Sequence, residues 1–265
     1  MNNKPIGILD SGLGGLTIWH EIVQQLPHES TVYIGDSANT PYGVKSPEEI
    51  FELARKCIEF LLTKEVKLIV TACNSITVSC VDQLREAYPA IPIVGTVPAI
   101  KPAGEQTKNK RIGILATTRT TTSDYQTELI NQFASDCTVL SHGTDGIVPL
   151  IERGELASAE MTATLERELA PFQEEGIDTL VLGCTHFPFV KVQMQKILGS
   201  SVTILDSSEA IARRVTFLLE QSNSLASVPK PEYAFFTTGN AAIAKKILHA
   251  TIKRSETVVV TEVSL

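Results

Sequence analysis

Two short stretches place cysteines where chemistry is favoured: "TACNS" around Cys73 and "GCTH" around Cys184. Each follows an apolar run, Leu68-Ile69-Val70-Thr71 and Leu180-Val181-Leu182-Gly183, so each thiol stands at the carboxyl end of a strand. In open parallel sheets, ligands lie beyond those ends. The segment "SITVSCVDQLREAY" reads as a helix behind Cys73, and Pro188 suits a first helical position behind Cys184. Both sulfurs then face helix amino termini, whose unpaired N–H groups and positive dipole end favour a thiolate. Two such thiols on similar units would face each other across a cleft. That arrangement suits removal of a proton from one face of a carbon and its return to the other, with one sulfur as base and the opposed one as acid. The reaction is racemisation of a stereocentre.

A third stretch, "GILDSGLGGLT" from Gly7 to Thr17, is glycine-rich and could be read as a phosphate cradle. It lacks the Lys-Ser/Thr of a P-loop and the third glycine of G-x-G-x-x-G. An acid, Asp10, would also be odd beside phosphate, whereas it makes sense beside a thiol that exchanges a proton. The turn still suits a carboxylate. The other cysteines, Cys57, Cys80 and Cys137, are expected to pack. A metal reading would use Cys73, Cys184 and His186, but a fourth ligand and zinc-site spacing are missing, so no metal is expected.

The elements that must hold these residues alternate short β-branched runs with amphipathic helices, the pattern of a parallel α/β sheet. "KPIGILD", "STVYIGD" and "VKLIVTA" read as strands, with helices in "LTIWHEIVQQLP" and "EEIFELARKCIEFLLTK". Ser46, Pro47 and Glu49 give the second helix an N-cap, an N1 proline and a capping box. A second series follows: strands in "RIGILATT", "CTVLSHG" and "IDTLVLG", and helices in "SDYQTELINQFA" and "EMTATLERELAPFQEEG". "SVTILDSS", the helix "EAIARRVTFLLEQS", the linker "NSLASVPKP" and the strand "YAFFTTG" close the chain. "IGILDSG" resembles "IGILATT", and "LIVTACNS" resembles "TLVLGCTH", in the same order and at similar offsets. The expectation is two similar, pseudo-symmetric lobes of parallel-sheet, flavodoxin-like architecture with the active site between them. Residues 1–97 and 208–265 would form the first lobe and 98–207 the second, with a crossing near Pro98 and Pro102.

The chain of 265 residues carries 23 Lys and Arg against 30 Asp and Glu, a net charge of −7. That balance argues against a nucleic-acid partner. No stretch approaches a bilayer span, and "MNNKPIGIL" does not read as a signal peptide. Five cysteines, an odd number, fit a reducing compartment. A cytoplasmic location is expected.

"DSGLGGLT", "GDSANTPYG", "TACNS", "VPLIERG" and "GCTHFP", in this order and spread over nearly the whole chain, closely resemble the glutamate racemases of the aspartate/glutamate racemase superfamily. The resemblance implies cofactor-independent interconversion of L- and D-glutamate by two cysteines, supplying D-glutamate for peptidoglycan, by a cytoplasmic homodimer. It implies Cys73 and Cys184 as the catalytic pair, Asp10 as the acid beside the first thiol, His186 as the imidazole beside the second, and Glu152 as an acid assisting on the Cys184 side. It implies substrate contacts from Asp10, Ser11, Pro41, Tyr42, Gly43, Asn74, Ser75, Thr185 and His186, with Thr117, Thr118, Thr120 and Thr121 bordering the pocket. Of these motifs only "VPLIERG" holds an Arg or Lys, Arg153. Neutral donors would hold both substrate carboxylates, with no cation nearby to bias which thiol ionises. Ser75 stands where the family commonly has Thr, which keeps the hydroxyl. Family members activated by a cell-wall precursor nucleotide carry an amino-terminal extension, so that activation is not expected here. Rival readings are an aspartate-specific or related racemase, a two-lobed amino-acid-binding protein, and a pyridoxal-phosphate racemase, whose lysine and phosphate cradle are not identifiable.

Overall fold

The computed structural model describes residues 1–251 and 259–265. Its strands in chain order are β1 (Ile6–Asp10), β2 (Thr31–Gly35), β3 (Leu68–Thr71), β4 (Ile93–Gly95), β5 (Arg111–Ala116), β6 (Thr138–Gly143), β7 (Thr179–Gly183), β8 (Thr203–Leu205), β9 (Tyr233–Thr237) and β10 (Val260–Glu262). Helices α1 (Leu16–Gln25), α2 (Pro47–Leu62), α3 (Asn74–Ala87) and α4 (Ile100–Gln106) lead into the middle of the chain. They are followed by α5 (Thr118–Thr121), α6 (Asp124–Phe133), α7 (Ile147–Glu152), α8 (Ala159–Glu175), α9 (Lys191–Leu198), α10 (Ser208–Gln221) and α11 (Ala241–Thr251).

Two wholly parallel sheets result, ordered β10-β9-β2-β1-β3-β4 and β6-β5-β7-β8. The run β2-β1-β3-β4 recurs as β6-β5-β7-β8. The two sequence repeats are therefore β1 with β5 and β3 with β7, which occupy equivalent places. Strand order reverses between β1 and β3, and again between β5 and β7, which opens a crevice at the carboxyl ends of each pair. Leu9 lies opposite Thr71 and Ala116 opposite Gly183. Ser11 and Cys73 thus leave the first sheet side by side, as Thr117 and Cys184 leave the second.

Every residue of β1, β2, β3 and β7 is buried, as in a parallel sheet covered on both faces. The first sheet packs α1, α10 and α11 on one face and α2 and α3 on the other. The second packs α7, α8 and α9 against one face and α4 and α6 against the other. Trp19 anchors α1: its ring meets Tyr233 and Phe235 edge-on at 5.6 and 4.9 Å, and its Nε1–H donates to Thr31 Oγ1 at 2.9 Å. This holds the helix that carries the glycine turn against β2 and β9.

The expected capping box is present: the Glu49 N–H donates to Ser46 Oγ, and Glu49 accepts from the Ser46 N–H. Ser158 caps α8, and Gly176 ends it in the left-handed conformation. Cys57 and Cys80 are buried in the core beside α2 and α3, and Cys137, just before β6, is half-buried. The crossing near Pro98 and Pro102 is made by α4, with Pro102 in its first turn, where a missing N–H breaks no helical bond. The short strands β4 and β10, and helices α5, α7 and α11, have no counterpart in the sequence reading. "IVG" and "VTE" are too short to display a period.

Candidate active site

Cys73 leaves β3 with extended backbone and forms the N-cap of α3. Its side chain is 5% exposed, and its thiol lies 3.5 Å from Ser11 Oγ, the hydroxyl that leaves β1 beside it. The helix terminus is where the sequence put it, but the thiolate it was expected to favour is not favoured here. Burial first, and then the charge of Asp10, push the Cys73 thiol up to about 12. A dipole end contributes at most about 2 kcal/mol, less than the cost of burying an unpaired charge.

Cys184 follows β7 directly and is 7% exposed. His186 Nδ1 sits 3.9 Å from its sulfur, and His186 Nε2 sits 2.6 Å from Glu152 Oε1, at the end of α7. Burial alone would lower the imidazole, but hydrogen bonds to Cys184 and Glu152 and the Glu152 charge more than offset it and raise it well above its ordinary value. These partners bias His186 toward its charged form. The expectation of no cation near the thiols is qualified by an imidazole whose partners push it toward the charged form. The Glu152 carboxyl against its other nitrogen keeps the effect local to the Cys184 side. Glu152 Oε1 also accepts the Leu13 N–H at 2.7 Å, which ties α7 of the second sheet to the glycine turn of the first.

That contact explains the glycines. A Cβ on Gly12 would fall on the Glu152 carboxylate, and one on Gly14 would fall on His186 Nδ1 and Thr185 Oγ1. The turn is stripped of side chains so that a second-lobe acid and imidazole can close on its backbone. Tyr33, whose hydroxyl donates to Gly12 O at 2.7 Å, fixes the turn from below.

Asp10 is fully buried at the end of β1. Its carboxylate accepts the Gly12 N–H at 2.8 Å and the Thr185 hydroxyl at 3.2 Å. Burial raises it to about 6, and the charge of His186 and the Gly12 N–H pull the other way. Asp10 acts on Cys73 through its charge, with no direct hydrogen bond between them.

One narrow cavity gathers most of the expected residues. Ser11, Cys73, Asn74 and Ser75 line it from the ends of β1 and β3, and Pro41, Tyr42 and Gly43 from the loop after β2. Thr117, Cys184, Thr185 and His186 line it from the second sheet. Its empty space is about 270 Å³. The Asn74 side-chain amide nitrogen is buried without a partner. Ser75 Oγ and Thr117 Oγ1 meet at 3.1 Å across the two sheets. Asp10 and Glu152 stand behind the wall, as do Thr120, whose hydroxyl lies 3.1 Å from that of Thr117, and Thr121. Thr118 points away and donates to Asp145 at 2.6 Å. Among the described residues, no lysine or arginine lines the cavity. Among the described residues, no group of three or more His, Cys, Asp or Glu is placed to hold a metal.

Sequence reasoning missed Val148, which lines the cavity from α7, and Asp36, Tyr33 and Asp145, which support it. Asp36 accepts from Tyr42 Oη at 2.6 Å, from Asn39 and from Thr238, so a buried carboxylate holds the Tyr42 loop with neutral donors alone. The "GDSANTPYG" segment contains that acid, and its position just after β2 was the available signal.

A family model described as Asp/Glu/hydantoin racemase matches residues 6–215. The glutamate racemase of Pseudomonas paraeruginosa is 41% identical over 246 residues, 93% of each chain. A glutamate racemase of Bacillus anthracis superposes with a TM-score of 0.87 at 33% identity, over 100% of this chain and 99% of that one. The glutamate racemase of Francisella tularensis, solved with D-glutamate, gives 0.84 at 31% identity, over 100% and 98%.

Proposed function

We propose, on the premise that this chain belongs to the Asp/Glu/hydantoin racemase family and is an amino-acid racemase, that it interconverts L- and D-glutamate through Cys73 and Cys184. The observation that carries the reading is that both thiols, from equivalent strand ends of two repeated sheets, line one narrow cavity. The glutamate named for its relatives supports the choice of substrate.

In this reading one sulfur takes the α proton as the opposed thiol delivers one to the other face of the carbon. Burial and the charge of Asp10 favour the protonated form of Cys73. His186 supplies a hydrogen-bond partner at the Cys184 sulfur, and Glu152 orients that imidazole and biases it toward its charged form. Asp10, raised to about 6, stands ready to exchange a proton on the Cys73 side. The substrate carboxylates meet the Asn74 amide, the hydroxyls of Ser11, Ser75, Thr117 and Thr185, and the helix amino termini around them. Such preorganised donors stabilise the charge that develops when the α carbon loses its proton.

The same reading takes residues 1–97 with 208–265, and 98–207, as the two lobes, and makes the protein a cytoplasmic homodimer supplying D-glutamate for peptidoglycan. Among the described residues, no helix is long and apolar enough to cross a membrane. The pyridoxal-phosphate rival would need a lysine in the cavity. The buried Lys67 instead pairs with Glu29 at 2.6 Å and donates to the Asn2 and Ser224 carbonyls. Circular dichroism with L-glutamate, L-aspartate and a hydantoin, without added cofactor, tests the assignment. Decay of the L-glutamate signal is expected to be fastest, and persistence of it would support a non-catalytic binder.

A further inference from the structure

Two-thiol racemisation leaves a debt that the cavity itself does not settle. Each turnover exchanges the protonation states of the two sulfurs, so a proton must pass between Cys184 and solvent before the same enantiomer can react again. Yet the sulfurs belong to residues only 5% and 7% exposed. Behind Cys184 lies a second, smaller cavity, on the side where the chain crosses between the sheets. Asn74, Cys184 and Thr185 border both cavities. On its far side stand Thr96, from the first crossing, and Ser207 and Ser208, from the second. Asp206 and Ser207 in turn border an open groove of about 870 Å³ between the two crossings.

The smaller cavity, like the active-site cavity beside it, has room for about one water, and it offers several polar partners, the conditions under which a buried water is held. One side chain points to an occupant, and a second is placed to link it to the groove. The Asn74 amide nitrogen, on a residue 3% exposed, has no partner in the protein, and its two N–H donors can serve a water here as well as a carboxylate in the active-site cavity. Ser207 stands at the N-cap of α10, where a hydroxyl ordinarily bonds the first-turn N–H groups. Its backbone is instead helical, with φ −93° and ψ −8°, and its hydroxyl caps nothing. Asp206 holds the crossing in place, accepting the Ser208 N–H at 3.1 Å and pairing with Lys191 at 2.9 Å.

We propose that this cavity holds a water through which Cys184 exchanges its proton with solvent, with the Ser207 hydroxyl as the link to the groove. To recharge the sulfur, the water gives a proton to the Cys184 thiolate and takes one from the Ser207 hydroxyl, which takes one from solvent in the groove, while Cys73 gives one up to solvent on its own side, so that both sulfurs return to their starting states. Discharge runs the same chain backwards, so one proton moves and no bond to carbon is involved. The relay rests on the two-thiol reading of the site.

The test uses the full chain as Ser207→Ala, Ser207→Thr and Cys184→Ser. Labelled D,L-glutamate at equilibrium is driven off balance by excess unlabelled L-glutamate, and the size of the displacement reports how slowly the free enzyme resets. Ser207→Ala is expected to slow resetting roughly tenfold, a modest part of what positioned proton transfer contributes, with kcat/KM within about twofold of wild type. Ser207→Thr, which keeps the hydroxyl, should reset as the wild type does. An unchanged displacement in Ser207→Ala, an equal fall in kcat/KM, or failure of the threonine to rescue would each overturn the relay. Normal racemisation by Cys184→Ser would instead remove the two-thiol reading beneath it.

Discussion

Glu152 Oε1 lies 2.6 Å from His186 Nε2 and is also the acceptor, at 2.7 Å, for the backbone N–H of Leu13. One oxygen thus orients the imidazole beside Cys184 and fastens the second sheet's helix to the first sheet's glycine turn. The electrostatics of one thiol and the closure of the two lobes over the site are joined at that atom. Among the described residues the Cys73 side has no equivalent imidazole; it has Asp10 and the Ser11 hydroxyl. The folding pattern is repeated, but the chemistry around the two sulfurs is not.

Cys73→Ser and Cys184→Ser are each expected to lower racemisation by about a thousandfold, within the range positioned acid–base groups supply. Both sulfurs are replaced by a smaller hydroxyl, so melting temperatures should change little. Polarimetry on purified variants checks this, and near-normal activity in either would contradict the two-base scheme.

Racemisation in deuterated water should place deuterium at the α carbon of the product starting from either enantiomer, because thiol protons exchange. Proton NMR of the recovered glutamate reads the outcome. Complete retention of the original hydrogen would point to a carrier that does not exchange.

Glu152→Gln keeps an acceptor for the Leu13 N–H but removes a charge that helps raise His186 toward its charged form. Enantiomers have equal free energies, so kcat/KM must fall equally in both directions, by roughly a hundredfold. The asymmetry should appear elsewhere. With α-deuterated substrates, the isotope effect should grow for the enantiomer that gives its proton to Cys184 and stay near wild type for the other. Equal growth for both would detach Glu152 from the Cys184 side.

Asp10→Asn should trade activity for stability. The unfolded carboxyl titrates near 3.8 and the folded one near 6, so folding favours its protonated form. That contribution is fully present below about pH 4 and is lost as pH rises through about 6, a change of about 3 kcal/mol for two units. Asparagine carries no charge to bury, so the variant should melt higher than wild type at neutral pH, by ~1–3 kcal/mol of stability. The difference should vanish near pH 4. Thermal melts across that range, with activity in parallel, decide it.

Gly14→Ala would drive a methyl group into His186 Nδ1 and Thr185 Oγ1. Overpacking of this kind costs about 1–3 kcal/mol, whereas displacing the imidazole from Cys184 should lower kcat/KM by roughly a hundredfold. Chemical denaturation beside kinetics separates the two. A fully active, well-folded variant would show that the close approach is dispensable.

The sequence by itself determined the alternation of strands and helices, the two-fold repeat and the position of both thiols at strand ends. These follow from local periodicity, turn chemistry and short motifs, and Ser46 with Glu49 shows how completely a cap can be written in four residues. The motifs also marked Asp10, His186 and Glu152. Only the tertiary structure decided what those groups are. The ionisation of Cys73, Asp10 and His186 depends on burial and on partners from distant segments, such as Thr185 on Asp10 and Glu152 on His186. It also decided which of the threonines after β5 faces the cavity, Thr117 alone, because one turn of helix turns its neighbours away. Val148 and Asp36 could not be ranked in advance, since their importance comes from what packs beside them and no motif chemistry of their own singles them out. Local sequence fixes where a strand ends; long-range burial sets the charge of what stands there.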